Sequence, residues 1–140
     1  MSASKKPLSS CHCINARRIS GLISELYDRS LKPTGLTISQ YSLLRNLERS
    51  PTVSISELAA QMGLDRTTLA RNLKPLMERG LICDRAEPGR RNRQLALTEA
   101  GQTLLDQGKL LWEDAQRDLT ERLGEDTLRQ FESILLKLQA

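Results

Sequence analysis

The sequence predicts a mainly α chain with a small β-hairpin wing: a winged helix-turn-helix with N- and C-terminal dimerisation helices. Three observations carry this expectation. Capping boxes and a capping aspartate mark the starts of short helices in the middle of the chain. Gly63 and Gly80 stand where those helices must stop. A basic segment with a Pro-Gly turn then lies between two short apolar runs.

The elements follow in order. Ile14, Ile19, Leu22, Ile23, Leu26 and Leu31 recur at helical spacing, and Pro33 with Gly35 ends that helix. Thr37 and Gln40 form a capping box for a second helix, which carries Tyr41, Leu44 and Leu47 and stops before Pro51. Ser54 and Glu57 form a second box, opening a short helix with Leu58, Ala59 and Met62 inward. Gly63 closes it in a left-handed turn, and Asp65 caps the next helix, whose Leu69, Leu73 and Leu76 share one face. Two short helices around Gly63-Leu64-Asp65 have the shape of a helix-turn-helix. Leu81-Ile82-Cys83 and Leu95-Ala96-Leu97 read as strands, with Cys83 expected in the core. Pro88-Gly89 turns between them, so the hairpin is a wing. Thr98 caps a long helix with Leu104, Leu105, Leu111, Trp112, Ala115, Leu119 and Leu123. Gly124 interrupts, and a last helix holds Leu128, Phe131, Ile134, Leu135 and Leu138. The whole of 1–140 reads as a single domain, with about 37–97 as the winged-helix part and about 10–32 and 98–140 as dimerisation helices.

Composition removes several classes. No apolar run exceeds three residues, so no spanning helix and no membrane partner is expected. Lys5 and Lys6 are followed by no apolar stretch, so a secretory signal is not expected and the chain reads as cytoplasmic. Three cysteines in such a chain argue against a disulfide framework. Tyr27, Tyr41, Trp112 and Phe131 are too few for a single-strand stacking platform. His12 is the one histidine, so neither a Ser-His-Asp nor a Cys-His set is easily assembled, and no enzyme activity or cofactor is expected.

The charge is unevenly placed. Residues 1–97 hold 16 Lys/Arg against 8 Asp/Glu, while 98–140 hold 5 against 9. The basic part suits a polyanion, with double-stranded DNA the foremost partner. On the helix after Asp65, the buried stripe leaves Arg66, Thr67, Thr68, Arg71, Asn72 and Lys74 outward. Arg can bind guanine bidentately, Asn can bind adenine, and Thr can meet a thymine methyl. They crowd the N-terminal half of the helix, the end a helix-turn-helix inserts into the major groove. At the hairpin tip Arg90, Arg91 and Arg93 have no sequence neighbour of opposite sign closer than Glu87, and a thin basic loop suits a narrow minor groove. A winged-helix module that binds protein instead is a second reading, which the basic faces disfavour. A homodimer is expected because Ile19, Leu22, Ile23 and Leu26, with the apolar residues of the last two helices, exceed what a small head can cover.

Residues Gly63 to Arg71, Leu76-Met77-Glu78-Arg79-Gly80-Leu81-Ile82 and Leu97-Thr98-Glu99-Ala100-Gly101 together resemble the multiple-antibiotic-resistance-regulator (MarR) family. The resemblance extends over roughly 11–140. It implies a prokaryotic winged-helix transcription factor, a homodimer on pseudo-palindromic DNA whose first and last helices pair the subunits. It further implies a repressor relieved by a small-molecule effector or an oxidant. The family's wing usually carries an aspartate two residues before an arginine. The arginine matches Arg91, but the aspartate position is Gly89. Pro75 stands inside the recognition helix, where it removes a hydrogen bond and favours a bend.

Cys11-His12-Cys13 opens the first helix. Three readings stand side by side: small helix residues, a redox-sensing thiol, and a metal site whose other ligands a second subunit would supply. Three such residues alone are too few for a closed zinc site. Free N–H groups at a helix start stabilise thiolate. Resemblance to the organic-hydroperoxide-sensing branch places the reactive thiol at Cys13, and Tyr27 matches a tyrosine that contacts it there. A second expected tyrosine is replaced by Arg17. Tyr27 lies fourteen residues beyond Cys13, about 21 Å along a helix, so it would meet that thiol only across a dimer.

Overall fold

In the computed structural model, which describes residues 5–50, 52–89 and 93–140, the chain forms six α-helices and one antiparallel hairpin, and all but the last helix contribute to a leucine-rich core. Helix α1 (His12–Leu31) ends in a short 3-10 turn, Lys32–Thr34, and leads to α2 (Ile38–Arg49). Next come α3 (Ile55–Met62), α4 (Arg66–Glu78), β1 (Ile82–Asp84) and β2 (Leu95–Leu97). The long α5 (Glu99–Leu123) and α6 (Glu125–Gln139) complete the order.

The expected caps explain these boundaries. The Thr37–Gln40 box is complete, with Gln40 N–H donating to the Thr37 hydroxyl and Thr37 N–H donating to Gln40 Oε1. The Ser54–Glu57 pair is half a box: Ser54 accepts from Glu57 N–H, but its hydroxyl donates to the Glu57 carboxylate. Asp65 accepts from Thr68 N–H at 2.7 Å, and Thr98 from Gly101 N–H at 3.0 Å. Gly63 is left-handed at φ 66°, as a helix stop between α3 and α4 requires.

Leu31, Leu44, Leu58, Leu69, Leu95 and Leu105 are fully buried, so the core runs from the end of α1 through α2, α3, α4 and the hairpin to α5. Ile82 pairs with Leu97 and Asp84 with Leu95, and an isolated bridge from Val53 to Leu95 adds a contact that the sequence did not suggest. Cys83 departs from its expected place in the core: it is half-buried, because side chains alternate along a strand and its neighbour Ile82 takes the inward face. Close packing joins α5 to the rest. A Cβ at Gly101 would stand 2.1 Å from the Leu81 carbonyl oxygen, and Gly108 abuts the Tyr41 ring. Tyr41 stacks on Trp112 with ring centroids 6.2 Å apart. Glu48 of α2 accepts from Lys109 and Gln102 of α5 and from Arg45. The hydrogen bond from Lys109, foremost, holds the Glu48 carboxyl below its ordinary pKa. No described helix is long and apolar enough to cross a membrane.

Candidate nucleic-acid interface

Helix α4 separates its side chains cleanly. Leu69, Leu73 and Leu76 are buried, while Arg66, Thr67, Arg71 and Lys74 are exposed. No described carboxylate lies within 4.0 Å of Arg66, Arg71 or Lys74. Asp65 is occupied instead with the helix start: it takes the Thr68 N–H and, at 3.0 Å, the Thr68 hydroxyl proton. The Thr68 N–H bond is the main reason that its carboxyl is held below the usual range. Thr68 and Asn72 are half-buried rather than fully outward, since they line a groove with Ser39 and Ser42 of α2. Those two serines were not singled out from sequence; lying one turn apart on the exposed side of α2, they were a signal in principle. Pro75 is exposed and does not end the helix: α4 continues to Glu78 and the Pro75 carbonyl accepts from Arg79 N–H.

Of the three wing arginines, Arg90 and Arg91 lie outside the described residues. Arg93 is drawn back from the free tip position expected of it. Its Nε stands 3.9 Å from Asp84 and its Nη1 donates to Met77 Sδ at 3.8 Å. The hairpin explains this: Arg85 N–H bonds the Gln94 carbonyl and Asp84 accepts from Gln94 N–H, so the strands fold Asp84 against the segment before β2. Asp84 also accepts from Ala86 N–H, and these two backbone bonds, Gln94 first, lower its pKa.

The cysteine set divides. Cys11 is the N-cap residue of α1 and Cys13 lies in its first turn, both exposed and both free thiols. Tyr27 is buried near the other end, and its hydroxyl donates to Gln116 of α5 in the same chain. Within one chain the structure does not bring Tyr27 to Cys13. No group of three or more described His, Cys, Asp or Glu residues is placed to hold a metal. Tyr27 and Gln116 instead line a largely apolar cavity of about 520 Å³ between α1, α5 and α6, with Ile23, Ile38, Trp112 and Phe131.

The sequence pattern of the MarR family matches residues 34–91, the span from the first turn to the segment between β1 and β2. A Mycobacterium tuberculosis transcriptional regulator, MosR, solved in complex with DNA, is 34% identical. It superimposes with a TM-score of 0.79 over 93% of this chain and 96% of that one. The transcriptional repressor CouR bound to a 23-mer DNA duplex is 27% identical, with a TM-score of 0.82 over 96% of this chain and 100% of that one. CouR from Rhodococcus jostii RHA1 bound to p-coumaroyl-CoA is 28% identical, with a TM-score of 0.74 over 96% and 95% of the two chains.

Proposed function

The chain belongs to the MarR family, and from that premise we propose that it is a sequence-specific DNA-binding transcriptional regulator. In this reading it works as a homodimeric repressor on a pseudo-palindromic operator. The observation that carries the reading is the outer face of α4: Arg66, Thr67, Arg71 and Lys74 are exposed, and its cations are unpaired among the described residues. A solvated helix face ordinarily alternates its charges, whereas the first nine residues of α4 carry cations and no acid, at the end that enters a major groove, and the exposed Glu78 stands at the far end. Arg71 is assigned to a base edge, Lys74 to phosphate, and Arg90 and Arg91 to the flanking minor groove. DNA-bound MosR and CouR superimpose over nearly their whole length, which favours DNA over protein as the partner. Selection of bound duplexes from a random pool tests this. Paired inverted half-sites about one turn, roughly 34 Å, apart support it, and a featureless pool refutes it.

Release is assigned to a small molecule. The cavity of about 520 Å³ lies between α1, α5 and α6 and is large enough for a ligand. A related protein, CouR, was solved bound to p-coumaroyl-CoA. A ligand there acts only through different affinity for two arrangements of the subunits. Exposure of Cys13 keeps an oxidant as the second reading. Gel-shift titration with cumene hydroperoxide on wild type and Cys13→Ser separates the two, because an oxidant signal acts on the wild type alone.

A further inference from the structure

The far end of α4 is built differently from its start. Arg79, the C-cap residue, donates from its guanidinium to the Thr34 carbonyl at 3.0 Å and the Gly35 carbonyl at 3.3 Å. Both carbonyls belong to the turn that closes α1. That turn is stapled from within: the buried Thr34 hydroxyl donates to the Leu31 carbonyl and accepts from Leu36 N–H. Gly35 is left-handed at φ 71°, and a Cβ there would meet Arg79 Nη2 at 3.4 Å. The guanidinium therefore rests against a rigid platform at the negative end of α1.

The next two residues reach α5. Thr98 donates its hydroxyl to the Gly80 carbonyl at 2.6 Å and its N–H to the Leu81 carbonyl at 3.1 Å. Residues 79–81 thus fasten the recognition helix to both long helices at once. Arg79 stands eight residues beyond Arg71, about 12 Å along the axis, away from the end that reads bases.

We propose that Arg79 is a positioning residue that sets which half-site spacing the dimer accepts. The inference rests on the reading of the chain as a dimeric DNA-binding regulator. In such a dimer the separation of the two recognition helices depends on the angle at which each leaves α1 and α5. Changing the spacing by one base pair moves a half-site by about 3.4 Å and rotates it by about 35°. Two hydrogen bonds to a stapled turn resist that rotation. Without them the end of α4 loses its tie to α1 and keeps the one to α5, through Thr98 on the Gly80 and Leu81 carbonyls.

The test uses duplexes selected by the wild type, remade with one base pair added or removed between half-sites. Wild type, Arg79→Ala and Arg79→Lys are titrated on each. The wild type is expected to lose at least about tenfold in affinity off the selected spacing, and Arg79→Ala no more than about threefold. Lysine, which reaches one carbonyl as a point charge, falls between. An unchanged spacing ratio in a folded Arg79→Ala overturns the proposal. So does an equal loss at every spacing, which marks a phosphate contact. If circular dichroism shows Arg79→Ala unfolded, Arg79→Gln and Arg79→Lys carry the same comparison. A wild type that selects no paired half-sites overturns the DNA-binding reading itself, a different result.

Discussion

Helices α4 and α6 are of similar length, 13 and 15 residues, and both carry an apolar stripe. Their fates differ. Leu69, Leu73 and Leu76 of α4 are covered by the chain itself, so what α4 offers a partner is the polar remainder. No residue of α6 is buried, and Phe131, Ile134, Leu135 and Leu138 remain 47–80% exposed. An uncovered stripe calls for an apolar partner, and in the homodimer proposed above a second copy of the chain would supply one. The charge agrees, since 98–140 carry four more acids than bases. Under the proposed function, one helix offers its polar face to DNA and the other its apolar face to a second copy.

The contrast breaks most severely at the joint between the two regions. Gly101→Ala drives a methyl into the Leu81 carbonyl oxygen, 2.1 Å from where the Cβ must go. An expected loss of about 3 kcal/mol, at the upper end of overpacking costs, is read from denaturant unfolding. Pairing is sharpened by Phe131→Glu with Leu135→Glu. Because neither side chain is buried in one chain, helicity should persist while association weakens by about 2–4 kcal/mol, and light scattering should return the monomer mass. On the polar helix, Arg71→Ala should cost about 1–3 kcal/mol of DNA binding and relax preference at one base pair per half-site. Arg91→Ala should instead weaken binding to all sequences and flatten the salt slope, which a salt titration distinguishes.

The smallest effect concerns the Glu48 contacts between α2 and α5. Glu48 has a lowered folded pKa, so its contribution is complete above the unfolded value of about 4.3 and fades as pH falls through the folded value. Glu48→Gln should remove that dependence below about pH 4.3 and cost under about 1 kcal/mol at neutral pH, because the pair is partly exposed. Acid titration of thermal midpoints checks both statements.

Much of this architecture was legible before any coordinates. The starts of α2, α3, α4 and α5 follow from Thr37, Ser54, Asp65 and Thr98, because capping is satisfied within three residues and needs no distant partner. The exposure of Arg66, Arg71 and Lys74 followed from periodicity alone. Features with partners far along the chain were not legible. Asp84 meets Arg93 only because the strands pair, and Tyr27 meets Gln116 across 89 positions. Arg79 meets the Thr34 and Gly35 carbonyls across 45 and 44 positions.

By itself, then, the sequence determined the helices, their stops and the polarity of each face, since propensity, capping and periodicity act within a turn or two of chain. The tertiary structure alone decided which faces the chain covers and which it leaves open. It set Arg93 beside Asp84 and Met77, left α6 bare and opened the cavity beside Tyr27. Those outcomes depend on where two segments distant in sequence come into contact, and local pattern carries no record of that distance.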